Sequence, residues 1–523
     1  MDLVLAPSRA GPLFCRAGSL YLHSPYEPER EAERWLETQI GAKVPLFIVL
    51  LGPCLNYLTP LLRARYPRAA IVSLQPDPFF RGKELARCDA TWYPDSPMPL
   101  AAFLDTAIGE DAAAGLSIME WPPAARAFPE MLAYLREALR SSLERLAGSA
   151  ATVKSFGKRW FANACRSFLL VERLREAPAF ASPIVVAAAG PSLGASLRTL
   201  RPYRDRFALI AVASALAACG AAGLEPDLVV STDGGFWSRS HLYPLALHGL
   251  PLAAPLTALP SSRLWAELDI LLLNQGSFVE RELLPSLGGG LRLPPHGTVT
   301  GSALRLAAER SAGPIIFAGL DLAIEGEREH SSPHAFDPIL AEASGRLSPL
   351  AALSFARALE VAPHALKVGA WRASRNLATY AGALVEDARS LAGRLFRLSP
   401  SPVELPGFVS VDESTLPSLL ANATRHSSAA RSRNAPPADL RRSRLGEALA
   451  GWRKSAREAA AALAEGAPPA DNDLRELYRS FDLPDWAAAR RANIAGSDPR
   501  PAAKELARRT DEALADIERR LLG

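Results

Sequence analysis

The fold of this chain is decided by residues 184–233, which read IVVAAAGPSLGASLRTLRPYRDRFALIAVASALAACGAAGLEPDLVVSTD. Two segments of helical composition separate three apolar runs, which are Ile184–Ala188, Phe207–Val212 and Leu228–Val230. Continuous apolar strands with helical spacers are typical of a parallel sheet covered on both faces, and ligands bind beyond the carboxyl ends of such strands. The sequence therefore predicts an α/β fold with a Rossmann-like parallel-sheet core, in which the loop Gly190–Leu193 and Asp233 lie at one edge.

The loop after the first apolar run has residues suited to binding a phosphate group. Gly190 lets the backbone approach a ligand, Pro191 suits the first turn of a helix, and the Ser192 hydroxyl can cap that turn. Because free N–H groups at a helix start attract anions, Gly190, Pro191, Ser192 and Leu193 are predicted to bind the phosphate of a nucleotide. An ordinary turn between strand and helix explains the same residues, since short glycine loops are weak evidence.

Two common nucleotide-binding motifs are missing from this stretch. No Gly-Lys-Ser or Gly-Lys-Thr follows the loop, which excludes P-loop chemistry. The second apolar run ends at Ala213 and Ser214 without an acidic residue for a ribose, and Gly190 and Gly194 do not have the G-x-G-x-x-G spacing. NAD binding is therefore disfavoured.

The composition describes a protein with large cores and no strong charge bias. The chain has 523 residues, 49% hydrophobic and 22% charged, with a formal net charge of +4. The positive surplus is a local run of arginines in residues 421–445, which favours a solvated linker over a nucleic-acid surface. Five widely spaced cysteines, without a signal peptide or a transmembrane-length apolar run, predict reduced thiols in a cytoplasmic protein.

A second strand-helix-strand pattern opens the chain. Val44–Leu51 and Ala70–Leu74 are apolar runs around the helical segment Thr59–Arg65, which predicts a smaller Rossmann-like domain over residues 1–150. Pro53 and Cys54 stand where a functional loop usually repeats glycine, so this domain is expected to hold no cofactor.

The remaining domain boundaries follow composition. Residues 151–180 are predicted to be a helical connector, 181–400 the catalytic domain, 401–445 a linker rich in Pro, Ser and Arg, and 446–523 a helical module. The module contains the amphipathic segments Glu447–Leu463, Asp473–Phe481 and Ala502–Leu522.

Polar and aromatic residues follow several predicted strands. Phe236 and Trp237 come just after Asp233, on a loop with two glycines, where they could stack on a sugar or a base. Asn274 ends another apolar run. Thr300, Gly301 and Ser302 begin a helix and form a second candidate anion site.

The segment from Asp321 to His334 is the predicted location of proton chemistry. Asp321 ends a strand, and His330 and His334 lie in the polar stretch beyond it. Histidine titrates near neutral pH and commonly acts as a general base. Pro333 breaks the helix that a zinc-binding pair of histidines would need, so no metal site is predicted.

These motifs together resemble a known family. Ala189-Gly190-Pro191-Ser192-Leu193, Pro226-Asp227 and Ser231-Thr232-Asp233 are similar to the core shared by bacterial motility-associated factor (Maf) proteins and archaeal 6-hydroxymethylpterin diphosphokinases. The resemblance continues through Gly297-Thr298-Val299-Thr300-Gly301-Ser302 and Gly319-Leu320-Asp321-Leu322-Ala323 to His330. It covers roughly residues 180–400 with good motifs.

The Maf resemblance implies a glycosyltransferase with a core similar to bacterial sialyltransferases. Such an enzyme moves a nonulosonic acid, pseudaminic or legionaminic, from a CMP-activated donor to Ser or Thr of flagellin. His330 is then the first candidate for the base and Asp233 the second, with Asp321 orienting sugar hydroxyls. The donor would contact the loop Gly190–Leu193, Thr300–Ser302 and Asn274, and Phe236, Trp237 and His334 would contact sugar or acceptor.

Two other functions stay open at this point. The pterin diphosphokinase resemblance implies diphosphate transfer from ATP, for which Mg²⁺ would be held by Asp233 and Asp321. A non-catalytic nucleotide-binding scaffold for flagellin is the third.

Overall fold

A computed structural model describes most of the chain. The described residues are 2–39, 41, 44–108, 115–181, 183–242, 249–258, 262–361, 366–421, 423, 430–465, 477, 481, 492 and 498–523. They divide into two compact units, one made of residues 1–158 and 450–517 and the other of residues 159–449 and 518–523. None of the helices in the described ranges is both long and apolar enough to cross a membrane.

The first unit contains the smaller of two parallel sheets. An antiparallel sheet comes first, with strands β1 (Leu3–Pro7), β2 (Leu13–Ala17) and β3 (Leu20–Tyr21). The parallel sheet has the order β6-β5-β4-β7 and consists of β4 (Phe47–Leu51), β5 (Ala70–Leu74), β6 (Ala90–Trp92) and β7 (Leu116–Glu120). Helices Pro28–Gln39, Leu58–Arg65 and Leu100–Ala107 lie between these strands in the chain, and Pro122–Ala127 follows β7. The predicted smaller α/β fold is therefore present.

Two long helices differ from the predicted boundaries. Residues 129–170 form one helix, Pro129–Leu170, which begins inside the predicted first domain and ends within the predicted connector 151–180. No proline interrupts it after its first residue. The predicted C-terminal helices are found as Ala438–Ala464 and Arg500–Leu522. The predicted helix Asp473–Phe481 lies almost wholly outside the described residues, with only Leu477 and Phe481 described.

The second unit contains the large, mostly parallel sheet. Its order is β20-β19-β15-β9-β10-β11-β12-β13-β8-β21, with β14 also paired to β13, and β21 is its antiparallel strand. The strands are β8 (Arg173–Arg175), β9 (Ile184–Ala187), β10 (Ala208–Val212), β11 (Leu228–Val230), β12 (Leu252–Pro255), β13 (Asp269–Asn274), β14 (Leu291–Arg292), β15 (Ile315–Ala318), β19 (Leu395–Leu398), β20 (Val409–Ser410) and β21 (Ser432–Asn434). A small antiparallel sheet consists of β16 (Ile324–Glu325), β17 (Leu366–Val368) and β18 (Trp371–Ala373).

Helices follow most strands of the large sheet. They are Leu193–Leu200, Leu216–Ala221, Ser238–His241, Ser262–Glu267, Phe278–Leu283, Val299–Arg310, Asp337–Ala343, Leu350–Val361, Arg375–Ala388 and Leu416–Leu420. Every residue of β9, β10, β11 and β15 is buried, as the continuous apolar runs predict for a sheet covered on both faces. The Rossmann-like parallel core is confirmed.

The arginine-rich stretch 401–445 is not a linker in the structure. It supplies β20 and β21 to the large sheet, at opposite ends of the strand order. Arg441 is fully buried, donates to the main-chain oxygens of Phe168 and Leu169, and forms an ion pair with Glu172. Arg441 is therefore bonded within the unit, because its guanidinium group binds carbonyl oxygens at the end of the long helix.

His23 is a buried neutral histidine in the first unit. Its Nε2 atom accepts a hydrogen bond from the Leu55 N–H at 3.1 Å, which requires an unprotonated nitrogen, and its ring stacks on Trp121. Burial lowers the pKa of His23 from 6.5 to about 3.

Lowering the pH from 7 to 5 is expected to reduce the free energy of unfolding by about 2 kcal/mol through this residue. Unfolded His23 binds a proton near pH 6.5 and folded His23 only near pH 3, so stability is lost as the pH falls through this window. Thermal unfolding at the two pH values measures the loss. His23→Gln, which keeps a neutral acceptor, should lose less stability over the same range, and an equal loss in both proteins would contradict the assignment.

Candidate functional site

The switch point of the large sheet lies between β9 and β15. From β9 the chain adds β10, β11, β12 and β13 on one side, whereas β15, β19 and β20 lie on the other. Loops that leave two such strands diverge and form a crevice, which is where α/β proteins bind ligands. The loop Gly190–Leu193 follows β9 and Gly319–Asp321 follows β15, so the two motifs meet here.

Asp321 holds the loop Gly190–Leu193 in place. Its carboxylate accepts hydrogen bonds from the Ser192 N–H at 2.7 Å and the Ser192 hydroxyl at 2.6 Å, and a third from the Ser399 hydroxyl. This carboxylate lies at the start of the helix Leu193–Leu200, where unpaired N–H groups favour negative charge. The anion bound by this loop is a carboxylate of the protein itself.

The predicted phosphate-binding role of the loop is corrected by these contacts. Gly190 N–H donates to Gly319 O at 2.9 Å and Leu193 N–H to Gly190 O at 3.0 Å, while Pro191 has no N–H. With the Ser192 donors bound to Asp321, these four residues have no backbone donor left for a phosphate. The loop is a strand-to-helix turn whose role is structural.

Asp321 is correspondingly closed to substrate. It is 1% exposed, and its main-chain oxygen accepts from the Ser401 hydroxyl at 2.6 Å and from Arg397 at 3.2 Å. Burial lowers the pKa of Arg397, and the nearby Asp321 carboxylate opposes that shift. The structure gives Asp321 a positioning role, because its buried carboxylate accepts three hydrogen bonds from the surrounding loops, and its predicted catalytic role stays a prediction.

The second predicted anion site, Thr300–Ser302, is also closed. Thr298 caps the helix Val299–Arg310 by accepting from the Gly301 N–H at 2.9 Å, and buried Ser302 donates to Thr298 O at 3.3 Å. The His296 ring covers Gly301 so closely that a Cβ there would lie 2.0 Å from Nδ1. Only Thr300 keeps partial exposure, so a donor-binding role for Gly301 and Ser302 is not compatible with this packing.

Asn274 forms a local turn at the end of β13. Its side-chain oxygen accepts from the Gly276 N–H at 2.9 Å, and Gly276 has a φ of 83°. The turn gives Asn274 a local structural role. Its predicted contact with the donor stays a prediction.

The two predicted histidines lie over the switch point. The segment that carries them returns to β9 because the Ser331 N–H donates to Ala189 O at 2.9 Å. His330 and His334 stack with their ring centroids 4.5 Å apart. The His330 side chain is 34% exposed and His334 is buried, so His330 is the one open to a ligand.

Aromatic side chains continue from this histidine pair. His334 contacts His241 at 5.0 Å and Phe336 at 5.1 Å between ring centroids. Phe336 contacts Trp237 at 6.3 Å, and Trp237 contacts Phe236 at 5.4 Å. Phe236 and Trp237 are each 58% exposed, which leaves both rings available for stacking on a ligand.

Asp233 lies in the electrostatic field of the same cluster. It is exposed, and its Oδ1 atom accepts from the Gly235 N–H at 2.7 Å. Burial lowers the pKa of His241 to about 4, with His330 adding to the shift and Asp233 opposing it. His241 is therefore neutral at neutral pH, whereas Asp233 and His330 face solvent.

The structure thus separates the predicted site residues other than Thr300, which is partly exposed, into two groups. One group, the exposed cluster, consists of Asp233, Phe236, Trp237 and His330, together with His334, which is buried behind His330. The other group is used inside the fold and consists of Gly190, Pro191, Ser192, Leu193, Asn274, Gly301, Ser302 and Asp321.

Asn163 positions the loop that carries Asp233, and the sequence analysis missed it. The side-chain amide of Asn163 donates to Gly234 O at 3.1 Å and to Thr257 O at 3.0 Å, which joins the loops after β11 and β12. Trp160 packs against Gly234, where a Cβ would lie 2.6 Å from the indole Cδ1. The signal in the sequence was an asparagine between Phe161 and Phe168 on the apolar face of a helix. A polar side chain buried there needs hydrogen-bond partners.

An open cleft of about 870 Å³ borders His330. Its walls come mainly from residues 327–341, with Ala217, Ser240, Leu350 and Ser354 completing them. Within the described ranges, no group of three or more His, Cys, Asp or Glu side chains is arranged to hold a metal ion.

Comparison with known proteins agrees with this architecture. Residues 161–327 match the family model described as 6-hydroxymethylpterin diphosphokinase MptE-like. Residues 161–327 are therefore similar to the MptE-like family. The MAf glycosyltransferase from Magnetospirillum magneticum AMB-1 has a similar fold, with a TM-score of 0.61 and 12% sequence identity over 100% of this chain and 91% of that one. The resemblance predicted from the motifs is therefore confirmed for an MptE-like core in a chain with the fold of a Maf glycosyltransferase.

A curated relative matches part of the chain. A protein of Treponema pallidum (strain Nichols), described as uncharacterized, is 30% identical over 237 residues, which are 45% of this chain. The chain spans about half the length of this relative, 52%.

Gly190→Ala is expected to lower the free energy of unfolding by about 3 kcal/mol, because the new Cβ would lie 2.4 Å from the Asp321 carboxylate and 2.5 Å from Gly319 O. Urea unfolding measures this change. Gly194→Ala is the matched control, since its Cβ would have no neighbour closer than 3.9 Å, and it should leave stability nearly unchanged. Equal effects of the two substitutions would refute the close packing around Asp321.

Asn163→Leu is expected to expose the loop at residues 231–238 to faster hydrogen–deuterium exchange and to destabilise the chain by about 1–3 kcal/mol, because two carbonyl oxygens lose their donor. Mass spectrometry of peptides from this loop and from β9 measures the local change. Asn163→Asp keeps the volume but removes the donors, so it should behave like Asn163→Leu. If Asn163→Asp exchanges like the unaltered protein, the amide has no such role.

Proposed function

We propose that this protein is a glycosyltransferase that moves a nonulosonic acid from a CMP-activated donor to a Ser or Thr hydroxyl of flagellin. The observation that carries the proposal is the similarity in fold to a Maf glycosyltransferase, which extends over the whole chain. The MptE-like match, by contrast, is limited to residues 161–327. The parts of the chain outside that core, including the smaller parallel sheet, also have counterparts in the fold of the glycosyltransferase, because the similarity covers 100% of this chain.

The exposed cluster supplies the chemistry that this reaction needs. His330 has an open imidazole beside a cleft and can take the proton of the acceptor hydroxyl. The hydroxyl oxygen then bonds to the anomeric carbon, and the bond from that carbon to the CMP phosphate oxygen breaks. CMP leaves with the electron pair of the broken bond, and the proton stays on His330.

The surroundings of His330 fit the role of a base. His241 remains neutral behind the pair of stacked histidines, so it adds no positive charge that would oppose protonation of His330. Asp233 provides negative charge on the exposed side of the cluster. The same carboxylate can instead hold sugar hydroxyls of the donor, beside the exposed rings of Phe236 and Trp237.

Diphosphate transfer to a pterin fits this site less well. That reaction uses Mg²⁺ held by carboxylates, for which Asp233 and Asp321 were the candidates. Asp321 is buried and its carboxylate binds Ser192 and Ser399, so it cannot join Asp233 at a metal ion without releasing the loop Gly190–Leu193.

His330→Ala is expected to lower the turnover number about 10²- to 10⁴-fold if His330 is the base. Transfer from CMP-pseudaminic or CMP-legionaminic acid to purified flagellin, followed by intact-protein mass spectrometry, measures the rate. Trp237→Ala is the comparison variant, because loss of a stacking ring should weaken donor binding about threefold to tenfold with little change in turnover. Near-normal turnover of a folded His330→Ala protein would remove His330 from this role.

Calorimetric titration distinguishes the donor classes. CMP should bind the unaltered protein in the absence of a divalent ion, and Trp237→Ala should weaken that binding. Binding of ATP that requires Mg²⁺, with no binding of CMP, would support the pterin diphosphokinase. Binding of flagellin without turnover on any donor would support the scaffold.

A further inference from the structure

We infer that the cleft beside His330 binds the acceptor polypeptide, as a segment with basic and apolar residues around its hydroxyl, and does not bind the anionic donor. That this polypeptide is the acceptor of a transfer reaction rests on the proposed function. That a polypeptide occupies the cleft rests on the charge, the wall and the position of the cleft.

The charge of the cleft favours a basic occupant. Glu327, Glu329 and Asp337 line it, against one guanidinium from Arg328. A CMP-activated nonulosonic acid carries negative charge on its phosphate and on its carboxylate, so these side chains would repel it. A polypeptide with lysine or arginine near the acceptor hydroxyl has the complementary charge.

The wall of the cleft also suits a polypeptide. Leu340 and Ala341 on the helix Asp337–Ala343 line one side with Leu350 on the next helix. Leu350 is 46% exposed, and none of the residues of Asp337–Ala343 is buried. Apolar side chains of an acceptor segment would cover this surface, whereas a charged nucleotide sugar would not.

Trp237 lies outside the wall of the cleft. His330, His334 and Phe336 line the cleft, whereas Trp237 does not line it and contacts Phe336 from the exposed side. A base must reach the acceptor hydroxyl on one side while the anomeric carbon approaches that hydroxyl from another. The acceptor therefore enters from the cleft, and the donor lies beside Asp233 and Trp237.

Peptide binding tests this assignment without requiring turnover. The probe is a fluorescein-labelled synthetic peptide in which one threonine is flanked by lysine and valine, and its counterpart carries glutamate in place of lysine. Fluorescence anisotropy with the full-length protein should show the lysine peptide binding about threefold to tenfold more tightly, with the difference decreasing at high salt. Equal affinities, or tighter binding of the glutamate peptide, would overturn the inference.

Two substitutions locate the preference. Glu327→Lys should abolish the preference for lysine, because Glu327 is an exposed carboxylate in the wall of the cleft. Glu342→Lys is the matched control, since Glu342 is exposed on the helix Asp337–Ala343 but does not line the cleft. A loss of preference in Glu342→Lys equal to that in Glu327→Lys would place the binding elsewhere.

A third variant distinguishes acceptor from donor. Ala341→Trp places a large ring in the cleft from an exposed position, so it should weaken peptide binding at least tenfold while CMP binding, measured by calorimetry, is retained. Loss of CMP binding with retained peptide binding would overturn the inference. If no donor supports transfer but the lysine preference depends on Glu327, the proposed function fails while the cleft is still a peptide site.

Discussion

The hydrogen bonds between Asp321 and Ser192 are the interaction on which the second unit depends. They join the loops that leave the two central strands, β9 and β15, at the place where the order of the sheet reverses. The carboxylate is buried with Arg397 beside it, and the Arg397 guanidinium binds the main-chain oxygens of Leu320 and Asp321. A buried charge of this kind is tolerated only when its hydrogen bonds are satisfied, and here they are satisfied by Ser192 and Ser399 from two separate loops.

This arrangement places an internal carboxylate at the start of a helix that follows a central-core strand. In many Rossmann-like proteins the loop after the first strand receives a phosphate, but here an internal carboxylate takes that position. The segment around His330 crosses the carboxyl end of β9 above this loop, and we propose the ligand site there. Trp237 and Asp233 are exposed in that layer, His330 is partly exposed, and His334 is buried behind it. The loop Gly190–Leu193 lies beneath that segment and is joined to it through Ala189 O.

Sequence reasoning predicted the fold better than the individual roles within it. The strands β9, β10, β11 and β15 follow from continuous apolar runs, and the same runs place Asp233 and Asp321 at one edge of the sheet. Their roles could not be read in the same way, because a carboxylate after a strand has the same sequence pattern whether it faces solvent or binds a neighbouring loop. The contacts of Ser399 and Arg397 show that Asp321 is bonded inside the fold. Both residues are more than seventy positions away from Asp321 in the chain.

By itself the sequence determined which segments form strands and helices, since hydrophobic periodicity and turn residues act locally. It also determined the class of the core, because apolar runs of this length are stable only in a sheet covered on both faces. Only the tertiary structure decided that Asp321 is internal, that His330 stacks on His334 above β9, and that Asn163 holds the loop of Asp233. Those facts depend on contacts between residues far apart in the chain, and burial, which is a property of the whole fold, decides whether a polar group binds a ligand or a neighbouring residue.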